Sequence, residues 1–181
     1  MDRSEARALM EEKIGNENLR KHILAVAAVM RALARRFGED EERWEVVGLL
    51  HDIDYEESGD DMERHGLIAG EWLSGMGVSE DIVNAVKAHA DKAPCESLMD
   101  KAVYCADPVT GFLVACALVR PEKSLEPVEV EFALKRMKEK RFAAGASRER
   151  IRACEALGLS LDEFMGLSLD AMKEIHGELG L

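Results

Sequence analysis

Apolar residues recur three and four positions apart along almost the whole of this 181-residue chain, and alternating apolar–polar stretches are nearly missing. A spacing of three and four buries one stripe of a helix, whereas a half-buried strand needs a period of two, so the pattern predicts an all-α fold. The length allows one domain with a proper core and leaves little room for a second. We therefore expect residues 1–181 to form one helical domain, with a core over about 16–119 and a helical extension over about 120–181.

Several of the stripes contain groups that do not belong in a hydrocarbon core. After a first helix over 4–14, a second over 17–37 carries Leu19, Ile23, Val26, Met30, Leu33 and Phe37 on one face, and His22 falls inside that face. A third, over 41–53, runs apolar through Trp44, Val46, Val47, Leu49 and Leu50 and then presents His51 and Asp52 side by side. His65 opens the inward face of a fourth helix over 62–76, and His89 closes the face that Ile82 and Val86 begin in a fifth. A sixth, from about residue 97, puts Asp107 where the pattern asks for a hydrophobe, and Pro108 should stop or kink it before an apolar helix over 110–119. Charged and amphipathic helices over 127–140, 148–157 and 162–178 complete the chain.

A buried carboxylate without a cation is costly, so Asp52 and Asp107 at core positions call for one. With His22, His51, His65 and His89 on apolar faces, the six side chains are expected to converge on one metal centre. Neutral imidazole mixed with carboxylate suits Mn, Fe, Zn, Co or Ni, whereas an all-oxygen shell would have suited Mg. Neighbours on a helix differ by about 100° in direction, so His51 and Asp52 reach one centre only beside that helix, near its end. A carboxylate there can also bridge two ions about 3.5–4 Å apart, so one or two ions are expected. His176, near the end of the chain with no acid partner, is set aside as structural or exposed.

Residues 54–61 read as an acid-rich loop over the centre. Asp52 and Asp54 are the catalytic candidates; Asp54, Glu56 and Glu57 could serve a leaving group as general acid or base, with a hydrophilic loop the simpler reading for Glu57. On that view Asp54→Asn lowers the maximal rate and leaves metal content intact. Arg64, beside His65, and Lys92, a turn past His89, are weak candidates for holding substrate, with a solvated surface charge the simpler reading of each. The run Lys135 to Arg141 could clamp a phosphate, although cations at a helix end also suit the macrodipole.

A formal charge of −12 makes long polyanions poor partners, because nucleic-acid affinity comes from cations that release counterions. We thus expect a small phosphorylated substrate rather than a nucleic-acid polymer, and no membrane partner, since no run approaches the ~20 apolar residues that span a bilayer. The four cysteines are widely spaced without a CxxC pair and read as reduced thiols, which, with no apolar leader at the N-terminus, places the protein in the cytoplasm. The apolar C-terminal helix could pair between copies, so a homo-oligomer is possible.

The order His22, His51-Asp52, His65, His89, Asp107 on successive helices resembles the HD-domain superfamily of metal-dependent phosphohydrolases over about residues 19–107, in particular its small stand-alone hydrolases. The resemblance implies that His22, His51, Asp52 and Asp107 hold a first metal, and that in dinuclear members His65 and His89 hold a second with Asp52 bridging. It is also similar to the HD-GYP phosphodiesterases at these positions. Those continue as His-Asp-Ile-Gly-Lys where this chain has His51-Asp52-Ile53-Asp54-Tyr55, and no Gly-Tyr-Pro segment is present, which speaks against cyclic dinucleotides. The expectation is a hydrolase that attacks a small, nucleotide-like phosphoester with metal-activated water. The alternatives are a dinuclear phosphodiesterase or pyrophosphohydrolase, or a non-catalytic regulatory module that binds metal or ligand.

Overall fold

Six of the helices begin at a residue whose side chain caps them. In the computed structural model, which describes residues 1–59 and 61–181, the order is α1 (Arg3–Lys13), α2 (Glu17–Phe37), α3 (Glu41–Leu50), α4 (Tyr55–Ser58), α5 (Leu67–Gly75), α6 (Glu80–His89), α7 (Leu98–Leu118), α8 (Val130–Met137), α9 (Arg148–Arg152), a 3₁₀ turn (Ala153–Leu157), α10 (Leu161–Glu174) and α11 (His176–Leu179). Asp2, Asn16, Asp40, Ser97, Ser147 and Ser160 accept first-turn amide hydrogens of α1, α2, α3, α7, α9 and α10, satisfying donors that a helix leaves bare. Among the described residues there is no strand, so the fold is all-α.

The long helix α2 is the spine, packing against α3, α7 and α10. Its contact with α3 is backbone on backbone: a Cβ placed on Gly48 would lie 2.4 Å from the Ala27 Cα, so only glycine lets the two helices close. That approach sets the distance between His22 on α2 and His51 at the end of α3. Ile23, Met30, Leu33, Leu49, Leu50, Phe112 and Phe164 fill the space among these helices at 0–2% exposure. Each such side chain contributes about 1.5–3 kcal/mol relative to leaving it in water.

Three boundaries differ from the sequence expectation. The third helix stops at Leu50, and His51 to Asp54 form a turn, with the Tyr55 amide donating to the Asp52 carbonyl at 3.0 Å. The fourth expected helix starts only at Leu67, so His65 precedes it. Gly66 between them sits at φ +80°, and a Cβ there would press to 2.8 Å from Ala90 Cβ. Pro108 does not stop its helix: α7 runs on through it to Leu118. Losing the Pro108 N–H costs ~3 kcal/mol in a free helix. Val103, Ala106, Val109, Phe112 and Leu113, all fully buried on either side, hold the continuous form. By length and composition α7 could cross a bilayer, contrary to the reading of the runs, yet it packs against α2, α6 and α9.

Beyond α7 the expected helices are shorter: α8, α9 with its 3₁₀ turn, and α10, which breaks at Ile175 before α11. α10 lies against α2 and α8, so the extension packs onto the core.

Candidate metal centre

Two helix ends build half the centre by the same device. His51 follows the last residue of α3 and its Nδ1 lies 2.8 Å from the Gly48 carbonyl; His89 ends α6 and its Nδ1 donates to the Val86 carbonyl. The last carbonyls of a helix lack intrahelical partners, so an imidazole N–H three residues on satisfies one. This holds the proton on Nδ1 and leaves the Nε2 lone pair bare.

The other two histidines reach the same state from different elements. His65, before α5, donates from Nδ1 to Asp54 Oδ1 at 2.9 Å. His22 Nδ1 lies 3.1 Å from Thr110 Oγ1, whose own hydrogen goes to the Asp107 carbonyl at 2.9 Å, so the hydroxyl accepts from His22. All four bare Nε2 atoms then face inward.

Asp52 lies between them. Its Oδ2 is 3.5 Å from His22 Nε2 and 3.4 Å from His51 Nε2; its Oδ1 is 3.4 Å from His65 Nε2 and 3.2 Å from His89 Nε2. Asp107 Oδ1 completes the Oδ2 side, 3.2 Å from His22 Nε2. His22 and His51 approach to 3.3 Å through Nε2, and His65 and His89 to 3.1 Å. Lone pairs facing one another and a carboxylate at such distances repel unless a proton or a metal ion sits between them. The donors fall into two groups able to hold an ion, His22, His51 and Asp107 in one and Asp52, His65 and His89 in the other, with the ligand atoms of each within 4.8 Å of one another. The donor set fits one divalent transition ion in each group.

Without an ion, protons take that place. Burial opposes charge on His65, but its hydrogen bonds to Asp52 and Asp54 outweigh burial and push its pKa up to about 9. His51 is likewise raised, burial opposing and the Asp52 charge prevailing. Burial disfavours the Asp52 carboxylate, yet His51, His65 and His89 hold it well below the ordinary range; Asp107 is lowered against its burial by His22.

Asp54 is sealed off, at 0% exposure, and its oxygens are all engaged: Oδ1 with His65, Oδ2 with the amides of Gly66 at 2.7 Å and Ala69 at 2.9 Å. It caps the first turn of α5 while orienting His65, and it faces no open space. Glu56 accepts the amide hydrogens of Gly15 and Asn16, at 2.7 Å from the latter, so the segment after the HD turn is tied to the loop before α2. Lys92 pairs with exposed Glu63 at 3.1 Å, and Arg64 is exposed. The part of residues 54–61 that includes Asp60 lies partly outside the described residues.

Sequence reading missed one cation. Arg150 in α9 stacks 4.3 Å over the Tyr104 ring, donates to the His89 carbonyl, and brings Nη1 to 3.6 Å from Asp107 Oδ2. Nothing in its surroundings in sequence, a charged helix of the extension, signals that contact. Among the described residues the centre opens on the side of His22 and Asp107: the His51, Asp52, His65 and His89 side chains are 0–8% exposed, against 24% for His22 and 22% for Asp107. A cleft of about 780 Å³ lined by Asn16, Asn18, Tyr55 and Glu56 leads to that side.

Relatives include ribonuclease Y of Oleidesulfovibrio alaskensis, 32% identical over 96 residues that are 53% of this chain and 18% of that protein. Ribonuclease Y of Nitratidesulfovibrio vulgaris is 31% identical over 53% of this chain and 18% of its own length. That of Syntrophobacter fumaroxidans is 27% identical over 90% of this chain and 32% of its own length. The chain thus spans about a fifth to a third of the length of the relatives it matches. No solved structure matches it. The model of the HD domain matches residues 19–111, from the start of the His22 stripe to just past Asp107, and the chain belongs to the HD-domain family of metal-dependent hydrolases.

Proposed function

We propose that this protein is a two-ion phosphohydrolase, in which His22, His51, Asp107 and Asp52 would hold one ion and His65, His89 and Asp52 would hold the second. The observation that carries this reading is Asp52, whose two oxygens each face a separate pair of imidazole Nε2 atoms. Bound divalent ions in such a site act as Lewis acids on a phosphoryl oxygen and make water nucleophilic near neutral pH. The overall reaction consumes one water: a bond forms between water oxygen and phosphorus, the bond from phosphorus to the leaving oxygen breaks, and a proton ends on that oxygen.

The chain's own residues divide the remaining work. Buried His51, His65 and His89 hold the deep side of the centre and exclude water there, while half-open His22 and Asp107 form the face that meets substrate. Asp54 and Thr110 fix the tautomers of His65 and His22, and Arg150 braces the outer oxygen of Asp107. Asp54 is thereby a positioning residue rather than a proton donor to the leaving group.

A second reading, in which the phosphoester is a linkage in an RNA strand, is supported by the name the relatives carry and by the local charge. Residues 135–152 hold eight Lys and Arg against two Glu, in a chain whose net charge is −12. This concentration offsets the global charge that opposes a polyanion.

The test is manganese stoichiometry after reconstitution, together with hydrolysis of p-nitrophenyl phosphate, bis(p-nitrophenyl) phosphate and a short RNA. About two ions, falling to about one in His65→Ala, with turnover of at least one substrate, is the expected result. Absence of bound metal in the wild type would overturn the enzyme reading and leave a helical binding module.

A further inference from the structure

The open face of the centre is bordered by two depressions rather than one. Besides the polar cleft, a groove of about 390 Å³ starts from the same two residues, His22 and Asp107, and runs along α7 past Pro108, Gly111 and Ala115. Its opposite wall is the loop carrying Ala143, Gly145 and Ala146. Groove and cleft therefore meet at the exposed edge of the centre, and they differ in chemistry: one is lined by asparagines, Tyr55 and Glu56, the other by small apolar residues.

The groove is built rather than left over. The Arg148 guanidinium lies 5.0 Å over the Phe112 ring and donates to the carbonyls of Ala143 at 2.5 Å, Ala146 at 2.8 Å and Phe142, fixing the loop that forms the wall. Ala143 is held at φ +43°, a left-handed conformation that an alanine adopts only when its surroundings impose it. Lys140 and Arg141, both exposed, precede this loop in the chain. An open groove with glycine and alanine walls lets a flat ring approach closely, and its size is within the range of about 300–1,000 Å³ typical of small-molecule pockets.

We infer that the substrate is a phosphodiester that straddles His22 and Asp107, with the nucleoside on one side of phosphorus seated in the groove along α7 and the group on the other side in the asparagine cleft. This rests on the proposed phosphohydrolase reading and narrows it. A monoester has one substituent on phosphorus and needs one depression; a diester has two and fills both. The small apolar lining receives a base, and Arg150, 3.6 Å from Asp107, favours the anionic linkage.

The test fills the groove from each wall. A Cβ added at Gly111 or at Gly145 meets nothing within 4 Å, so Gly111→Leu and Gly145→Val project into open space without a clash. Equilibrium binding to manganese-loaded protein is measured by calorimetry for wild type and both variants, with the hydrolysis-resistant methylene phosphonate analogues of the dinucleotide ApA and of AMP standing for ApA and AMP. The ratio of ApA to AMP affinity is expected to fall about 10-fold or more in each variant, the scale at which a pocket rejects added bulk. An unchanged ratio in both, or no ApA binding to wild type, overturns the inference. Manganese stoichiometry on the same samples reads the two-ion centre separately, so failure of the groove and failure of the centre give different results.

Discussion

Asp54→Asn is the sharpest single perturbation of the centre. Asp54 Oδ2 takes the amide hydrogens of Gly66 and Ala69, at 2.7 and 2.9 Å, and Oδ1 takes the Nδ1 hydrogen of His65 at 2.9 Å. An asparagine offers one oxygen and one NH₂. Two backbone N–H groups need the oxygen, so the NH₂ faces His65 Nδ1 and can be satisfied only if that nitrogen becomes an acceptor. The ring proton then moves to Nε2, the atom that faces Asp52 and His89. A protonated Nε2 cannot ligate, so affinity for the second ion should fall about 10–100-fold, as loss of a ligand's hydrogen-bond partner typically does. Trading a charge-assisted bond for a neutral one costs about 1–3 kcal/mol of stability in addition. Manganese titration by calorimetry should show the first ion binding as in wild type and the second weakened, with turnover reduced as a result. If both ions bind with wild-type affinity and only the maximal rate drops, the orienting role is wrong and a direct proton-transfer role for Asp54 is restored.

Three further outcomes follow from the same contacts. Gly48→Ala drives a methyl into the α2 backbone, 2.4 Å from Ala27 Cα, and should cost about 1–3 kcal/mol, or roughly 2–4 °C of melting temperature per kcal/mol at this size; an unchanged melt would show that the α2–α3 contact yields freely. In chelated protein the His65 pKa of about 9 stands above its ordinary 6.5, so the stabilisation is complete below pH 6.5 and is lost as pH rises through 9, by at most about 3 kcal/mol. Melting temperature without metal should therefore fall across that window in wild type and much less in His65→Ala, and equal slopes would contradict the assignment. Arg150→Met should weaken the ion at His22, His51 and Asp107 about 10–100-fold while sparing the other, with Arg150→Lys intermediate; equal weakening of both would mark Arg150 as a structural anchor only.

Which of these contacts could be read in the sequence depends on whether a side chain's partner shares its helical period. His22 and Asp107 stood out because each interrupts an apolar stripe, and the packing of α2 against α7 brings them to 3.2 Å. His51 and His89 stood out as the last inward positions of their helices, and the structure supplies the reason for that placement, since only a helix end leaves a carbonyl free for Nδ1. His65 is legible from its spacing to Ile68 and Ala69 although it lies outside α5. The spacing coincides because the turn at Gly66, at φ +80°, leaves His65 buried beside Ile68 and Ala69 even though the helix begins only at Leu67. Adjacency to Asp52 points Asp54 to the open site, whereas the turn after Leu50 swings it inward to amides twelve and fifteen residues further on. Arg150 and the groove wall depend on contacts between α9 and α7 that no local period encodes. The same tertiary contacts overrode Pro108, where burial on both sides of the proline outweighs the lost hydrogen bond. The ligand-bearing faces are thus local to their helices and visible in the pattern; the groups that orient them come from turns and from the extension, where only the fold brings them into reach.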